Sequence, residues 1–270
     1  MKIAVSNIAW GLDDTSTIAR LMSERGIAAV EIAPTTKWID PLAAPSGQLN
    51  DFRSFWEDQG IRIVALQALL YGHAELTIFD QEPARERTLE YLRGMMRVGR
   101  ALGADVLVFG SPKNRRVGDK EPGETQAIAL DFFRRAGEAA SDEGVTLCIE
   151  PNPGQYGCDF VTTADEGLEL VRSVDHPGFG LHLDSAGMTL AEDPVQEALD
   201  RCASYLRHFH VSEPFLAPIG DGGVAHQDFA GSLRQLGYEG FCSVEMKKVE
   251  GRDVVTEIDR VLTLVEQLYR

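Results

Sequence analysis

Short apolar runs alternate with longer amphipathic segments along the whole chain. Eight of the apolar runs have the length and composition of buried strands. The predicted strands are residues 2–7, 27–32, 61–67, 104–110, 145–150, 179–184, 206–211 and 241–246. Between them, apolar residues recur at helical spacing, as in the stripe of Val254, Ile258, Val261, Val265 and Leu268. The chain is therefore predicted to consist of strand–helix units from end to end.

This alternation predicts a parallel sheet covered by helices. Eight units with no residues left for another domain favour a single (β/α)8 TIM barrel over residues 1–270, rather than an open doubly wound sheet. No GxGxxG follows the first predicted strand and no Walker motif occurs, which disfavours a nucleotide-binding fold. In a barrel of this kind the active site lies at the C-terminal ends of the strands.

Four predicted strands close on a side chain that can ligate a metal ion: Glu150, Asp184, His210 and Glu245. Their side chains would meet at one mouth of the barrel. Three carboxylates that converge without a cation repel one another. Together with one imidazole they suit a hard or borderline divalent ion. The sequence therefore predicts a metal-dependent enzyme that binds one divalent ion through these four residues.

Two further histidines lie inward, one step deeper than the ligands. The period-two alternation of strands places His182 and His208 on the same side of their strands as Asp184 and His210. Both are candidates to donate hydrogen bonds to the ligand carboxylates from below, as partners of metal ligands usually do. Hydrogen-bonded packing inside the barrel is a compatible alternative.

Composition narrows the classes of partner. The net charge of −16 disfavours a nucleic-acid partner, and no apolar run approaches the roughly 20 residues of a membrane span. The chain begins directly in a predicted strand, which indicates no signal peptide. The four cysteines form no CxxC, which is typical of reduced thiols and predicts a cytoplasmic protein.

The strand ends carry motifs of a known family. The segments are Ile149–Pro153, Leu181–Gly187, His208–Pro214 and Ser243–Lys247. With the spacing of the four ligands, they resemble the xylose isomerase-like TIM-barrel superfamily, also called sugar phosphate isomerase/epimerase. The resemblance covers nearly the whole chain.

The resemblance implies one divalent ion, commonly manganese, magnesium, cobalt or zinc, held by the four predicted ligands. It also implies that Glu150 and Glu245 act as the acid/base pair. The expected activity is isomerisation or epimerisation of a small sugar or sugar derivative through a metal-stabilised enediolate. Loss of hydroxide from the beta carbon would instead give a dehydratase of a keto-cyclitol or related ring, which is the alternative.

Three positions depart from the ketohexose 3-epimerases of that superfamily. Those enzymes carry an acidic residue, a histidine and an arginine where this chain has Tyr156, Gly187 and Leu216. These differences leave the identity of the sugar open, but not the proton-transfer chemistry. Glu213 matches the His-x-x-Glu of the same group.

Other polar and aromatic residues follow predicted strands at the mouth. The candidates for substrate binding are Lys113, Arg115, Glu213, His226, Lys247 and Trp10. Glu31 and Gln67 end the second and third predicted strands and are candidates to bind substrate hydroxyls. A surface loop is an equal alternative for Lys113 and Arg115, and packing at the rim is one for Trp10.

Two other functions share features with this pattern. Metal-cluster apurinic endonucleases use the same barrel, but the six histidines and the acidic charge disfavour their three-zinc chemistry. A barrel that binds metal and sugar without turnover is the remaining alternative. The expected partner is a small carbohydrate, and a homo-oligomer is compatible with the sequence.

Overall fold

The computed structural model describes residues 1–270 and contains a closed barrel of eight parallel strands in chain order. The strands are β1 (Lys2–Ser6), β2 (Ala29–Ile32), β3 (Arg62–Leu66), β4 (Val106–Phe109), β5 (Thr146–Ile149), β6 (Phe179–Asp184), β7 (Leu206–Ser212) and β8 (Phe241–Glu245). β8 pairs with β1 and closes the sheet. The predicted (β/α)8 TIM barrel is therefore confirmed.

Helices cover the outside of this barrel. They are α1 (Thr15–Glu24), α2 (Ser46–Glu57), α3 (Glu82–Leu102), α4 (Pro122–Asp142), α5 (Ala164–Val174), α6 (Ser185–Leu190), α7 (Val195–Cys202), α8 (His226–Gln235) and α9 (Val254–Tyr269). Two of them, α6 and α7, connect β6 to β7, and the short α6 begins directly at Asp184. None of the helices is both long and apolar enough to cross a membrane.

All eight predicted strands are present, and most differ from the prediction by one or two residues at an end. The second prediction began at residue 27, whereas β2 begins at Ala29. Apolar residues just before a strand look like strand residues in the sequence. Only residues that pair with both neighbouring strands belong to the ladder. Register shifts between Val30 and Glu31 and between Leu181 and His182 stagger the ladders further.

The two sides of the strands form different layers. Outward residues such as Val5, Leu147 and Phe209 pack beneath the helices in one large apolar core. Inward residues at the lower end of the barrel are small, and Ala4 and Ala65 belong to a separate small cluster there. Towards the C-terminal ends the interior becomes polar, which is where the candidate site lies.

All four cysteines are free and buried.

Candidate metal centre and active site

The four predicted ligands meet at the C-terminal end of the barrel. Asp184 is the last residue of β6 and lies opposite His210 on β7 in the ladder. Glu245 ends β8, and Glu150 directly follows β5. An oxygen of Asp184, an oxygen of Glu245 and a ring nitrogen of His210 lie within 4.8 Å of one another. An oxygen of Glu150 lies within the same distance of ring nitrogens of His210 and His182.

Repulsion and burial disturb the ionisation of these carboxylates. Burial, Glu245 and Asp184 raise the pKa of Glu150 to about 8, against the opposing effects of His210 and Arg115. Burial and Glu245 likewise raise the pKa of Asp184 to about 6. Without a cation, like charges this close cannot all stay ionised at neutral pH.

His210 is oriented by a carboxylate from the other side of the barrel. Its Nε2 lies 3.0 and 3.1 Å from the two carboxylate oxygens of Glu31, which is fully buried at the end of β2. Its Nδ1 makes no hydrogen bond and lies 3.3 Å from Glu245 Oε2. Burial lowers the pKa of His210, but Glu31 and Glu245 raise it well above its usual range, so the ring is protonated and an ion that binds Nδ1 must displace its proton. The carboxylate on the opposite ring nitrogen is what metal-binding histidines usually have.

Glu31 was a candidate to bind substrate hydroxyls. In the structure it instead contacts side chains inside the barrel. Ser243 Oγ donates to Glu31 Oε2 at 2.6 Å, and His208 Nε2 lies 3.5 Å from Oε1. Burial raises the pKa of Glu31, but His210 and His208 outweigh burial, so the pKa lies well below its usual range. Glu31 therefore supports the histidines from below. The sequence signal was an acidic residue at an inward strand position, but the partner across the barrel was not readable.

His182 and His208 lie inside the barrel as the alternation predicted. His182 Nε2 is 3.9 Å from Glu150 Oε1, beyond hydrogen-bond distance, and neither of its ring nitrogens has a partner. Burial and the neighbouring His210 hold the pKa of His182 well below its usual range, so its ring is neutral. The structure thus brings His208 to Glu31 rather than to a predicted ligand, and His182 close to Glu150.

These groups fit a divalent ion. Oxygen and imidazole donors at about 2.0–2.6 Å from a common ion would lie within roughly 5 Å of one another. The donors of Asp184, His210 and Glu245 lie within this distance of one another, and an oxygen of Glu150 lies within it of His210. The unpaired Nδ1 of His210 and the raised pKa values of Glu150 and Asp184 are both relieved by a cation at this position.

Asp184 is held by two donors besides its place on the strand. The backbone N–H of Gly187 donates to Oδ1 at 2.5 Å, and Ser212 Oγ donates to Oδ2. The first bond is the N-cap of α6. Asp184 therefore has a fixed orientation before any ion binds.

The position of the Glu150 carboxylate requires a glycine at residue 110, because the two lie in close contact. A Cβ at Gly110, just after β4, would lie 1.7 Å from Glu150 Oε2. Below it, Arg115 Nη2 donates to the Glu150 backbone oxygen at 2.6 Å, and Asn152 Nδ2 donates to the same oxygen at 3.2 Å. The backbone and the carboxylate of Glu150 are thus fixed from two sides.

Lys113 and Arg115 do not reach the cavity. Both lie in the 3-10 turn Pro112–Arg115, which leaves Lys113 exposed on the outside and buries Arg115 completely. Asn114 between them donates to the backbone oxygens of His73 and Leu76 at 2.7 and 2.6 Å. The turn therefore fastens one loop of the mouth to another, where the sequence had suggested contacts to substrate.

Glu213 and His226 form part of a loop anchor. Glu213 is fully buried and accepts hydrogen bonds from the backbone N–H groups of Gly220 and Val224 at 2.8 and 3.0 Å. His226 Nε2 lies 3.3 Å from Glu213 Oε1, and its Nδ1 is 3.0 Å from the Tyr269 hydroxyl. Glu213 still borders the cavity, whereas His226 lies behind it.

A cavity of about 860 Å³ opens above the carboxylates. Its polar and charged lining includes Gln67, Asn152, Ser212, Glu213 and Lys247 in addition to Glu150, Asp184 and Glu245. Trp10, Tyr71, Tyr156, Phe215 and Leu216 line it with apolar surface. Among the residues that the sequence proposed for substrate binding, Trp10, Gln67, Glu213 and Lys247 border this cavity.

One side of the mouth is held in a strained backbone. Phe215 and Leu216 have φ values of 58° and 59°, a conformation that costs a residue other than glycine about 1–3 kcal/mol. The Lys247 N–H donates to the Leu216 oxygen at 3.0 Å, and the Phe215 N–H donates to the Tyr156 hydroxyl at 3.2 Å. These bonds hold the side chain of Phe215 at the mouth. Consecutive left-handed residues without glycine give no sequence signal.

With this geometry in view, comparisons with known proteins identify the family. Residues 19–264 match the family described as xylose isomerase-like TIM barrel. This chain belongs to that family. The resemblance drawn from the strand-end motifs is thereby confirmed.

Individual relatives are more distant. The chain is 27% identical to an L-ribulose 3-epimerase of Methylomonas over 43% of this chain and 41% of that protein. It is 24% identical to a probable ketose 3-epimerase of Synechocystis over 80% of this chain and 72% of that protein. The first of these matches thus spans less than half of the relative's length.

Solved structures share the fold over the full length. A crystal structure of D-psicose 3-epimerase with D-tagatose from Clostridium cellulolyticum superimposes with a TM-score of 0.84 and 19% identity, covering 100% of both chains. At this identity the match shows the fold of the barrel.

Proposed function

We propose that this protein is a divalent-metal-dependent epimerase or isomerase of a ketose or related keto sugar. The observation that carries the proposal is the convergence of Glu150, Asp184 and Glu245 at the floor of one cavity, with His210 buried beside them. The names of the relatives, L-ribulose 3-epimerase and probable ketose 3-epimerase, support the same reaction class.

The four residues would hold the ion, with Asp184 and His210 fixed by their own hydrogen bonds. When bound, a divalent ion supplies positive charge that stabilises an enediolate and so makes the carbon next to a carbonyl more acidic. Manganese, magnesium, cobalt and zinc are the ions we propose for this set of donors.

Glu150 and Glu245 are proposed to move the proton. Their side chains are 14% and 13% exposed, whereas that of His210 is 1% exposed, so these two carboxylates are open to a substrate in the cavity. One carboxylate removes the proton next to the carbonyl. The other returns a proton to the opposite face for epimerisation, or to the adjacent carbon for isomerisation.

Residues along the walls are proposed to position the sugar. Lys247 and Gln67 offer hydrogen-bond donors for hydroxyls, and the indole of Trp10 offers an apolar surface for the C–H face of the ring. Arg115 acts through the backbone of Glu150 and so is a positioning residue.

The test is solvent-deuterium exchange. Protein loaded with manganese is incubated in deuterated water with a panel of ketoses, keto acids and inososes, and the products are analysed by mass and NMR. We expect one deuterium at the carbon next to the carbonyl, with no change in composition, and loss of this exchange after chelation. A product lighter by one water would indicate the dehydratase instead. Absence of both outcomes for every compound would refute the proposal.

A further inference from the structure

Four aromatic side chains surround the mouth of the cavity. Trp10, Tyr71, Tyr156 and Phe215 follow β1, β3, β5 and β7, one in each loop. Because alternate strands of a closed barrel are spread around its circumference, these four residues, here called the aromatic rim, approach the mouth from all sides. The carboxylates lie on the strand ends beneath them.

Two of the four rim side chains expose apolar surface, whereas Tyr156 is half-buried and Trp10 is only 6% exposed. Tyr71 is 73% exposed and Phe215 is 62% exposed, which places both among the few large apolar side chains open to solvent. Exposed apolar groups gathered around a cavity mark a ligand-binding surface. Phe215 is also fixed, because it packs edge-on against Tyr156 with ring centroids 5.4 Å apart and lies in the strained backbone described above.

The charges near the rim disfavour a phosphate group, a common substituent of sugars. Lys247 is the only lysine or arginine that lines the cavity, since Lys113 lies outside it and Arg115 is buried beneath Glu150. A phosphate site needs cationic or N–H donors, such as arginine, lysine or the N-terminus of a helix. Here four carboxylates, Glu150, Asp184, Glu213 and Glu245, line the cavity beside the single lysine, and their negative charge disfavours a phosphate.

The cavity has room for a ligand larger than a monosaccharide. Its volume of about 860 Å³ is near the upper end of the roughly 300–1,000 Å³ found for pockets that enclose drug-sized ligands. A single sugar at the carboxylate floor therefore leaves space below the aromatic rim.

We propose that the aromatic rim binds an uncharged, planar apolar substituent that the keto sugar carries at the end remote from its carbonyl. The inference rests on the proposed function, because that function assigns the carbonyl end of the sugar to the carboxylate floor. The class of substrate is then a neutral aryl- or similarly substituted keto sugar, and not a sugar phosphate.

The experiment compares D-fructose, 6-O-benzyl-D-fructose and D-fructose 6-phosphate, with 6-O-methyl-D-fructose as the control for the loss of the pyranose form when O6 is substituted. Isothermal titration of the manganese-loaded protein measures affinity, and deuterium exchange measures turnover separately. Stacking of the benzyl ring on the rim is expected to tighten binding about tenfold or more relative to D-fructose. The phosphate is expected to bind more weakly than D-fructose.

Variants locate the effect. Tyr71→Ala and Phe215→Ala should each lower the ratio of benzyl ether to D-fructose affinity several-fold. Ile39→Ala removes an exposed apolar side chain outside the cavity and should leave that ratio unchanged.

The possible failures are distinct. Equal affinity for D-fructose and its benzyl ether, or preference for the phosphate, would overturn the inference whether or not exchange occurs. Exchange with equal affinities would overturn the inference and leave the proposed function intact. Tighter binding of the benzyl ether without exchange of any sugar would support the rim and contradict the proposed function.

Discussion

The two halves of the barrel make different contributions to the site. Strands β5–β8 place Glu150, Asp184 and Glu245 on the cavity floor and bury His210 beside them. Strands β1–β4 place no metal-ligating side chain on that floor. Their one inward carboxylate, Glu31, is buried and reaches across the barrel to His210.

This difference separates the groups proposed to react from the groups that hold them. In one half, burial and the repulsion between carboxylates raise the pKa values of Glu150 and Asp184. The other half supplies the close approach of Gly110, the hydrogen bonds of Glu31 and part of the aromatic rim. Changes in the β5–β8 half should therefore abolish chemistry, whereas changes in the β1–β4 half should weaken binding and orientation.

The largest effect is expected for the proposed acid/base pair. Glu245→Gln and Glu150→Gln keep an oxygen that can contact the ion but remove the base, so deuterium exchange should fall by about 10²–10⁴-fold. The control is Glu239→Gln, an exposed glutamate that precedes β8. Near-normal exchange in both site variants would exclude these roles. Loss in one variant alone would assign the second proton transfer to another group, such as Lys247.

Adding a methyl group at Gly110, in the β1–β4 half, should also reduce deuterium exchange strongly. In Gly110→Ala the new Cβ would overlap Glu150 Oε2, so the carboxylate must rotate away and exchange should fall by about 10²-fold, the effect of a small misplacement. Gly47→Ala is the matched control, because a Cβ there meets nothing within 4 Å. Equal activity of the two alanine variants would show that the orientation of Glu150 is unimportant.

Metal affinity should depend on pH. Ligand carboxylates must lose their protons to bind an ion, and in the metal-free protein the pKa values of Asp184 and Glu150 are raised to about 6 and about 8. Affinity for manganese should thus increase as the pH rises through this interval, by up to about tenfold per pH unit for each proton displaced. Burial lowers the pKa of His210, but Glu31 and Glu245 raise it well above its usual range, so the loss of its proton extends the increase to higher pH. Titration calorimetry at several pH values measures this. An affinity that is flat between pH 5.5 and 8.5 would contradict it.

Removing the carboxylate of Glu31, which reaches from the β1–β4 half to His210, should have an intermediate effect on metal affinity. Glu31→Gln removes the negative charge behind His210 and should weaken metal binding about 10–100-fold. Glu257→Gln alters another buried glutamate, which pairs with Arg260 away from the site, and should leave metal affinity unchanged. If the two variants bound manganese equally well, Glu31 would have no role in the centre.

The smallest effect concerns stability rather than chemistry. Glu213→Gln turns an amide group towards the backbone N–H groups of Gly220 or Val224 and should lower the free energy of unfolding by about 1–3 kcal/mol. For a domain of this size that corresponds to a fall in Tm of about 2–4 °C per kcal/mol. The difference is measured by thermal unfolding of the Glu213→Gln variant and of the Glu239→Gln control, both in the metal-free form. A Tm equal to that control would contradict the proposed loop anchor.

The barrel and its predicted ligands were readable from the sequence because both depend on local pattern. Apolar runs mark the strands, and parallel strands of a barrel bring their last residues to one mouth. Glu150, Asp184, His210 and Glu245 needed only that rule to be placed together. The alternation of strands also placed His182 and His208 inside.

The supporting contacts depend on tertiary geometry and were not readable. The partner of Glu31 lies across the barrel, 179 positions away in sequence. A four-residue 3-10 turn points Arg115 inward and Lys113 outward, although both follow β4 in one basic stretch. Backbone conformations such as that of Phe215 arise from contacts with other loops. The sequence pattern therefore placed the four candidate ligands better than the side chains that position them.

The central claim is that one divalent ion binds where the four strand ends of the β5–β8 half converge. Anomalous X-ray diffraction from crystals loaded with manganese tests it directly. The account predicts one strong anomalous peak within coordination distance of Glu150, Asp184, His210 Nδ1 and Glu245. No peak at that position after loading with manganese, cobalt and zinc in turn, or peaks only at exposed acidic groups, would contradict it.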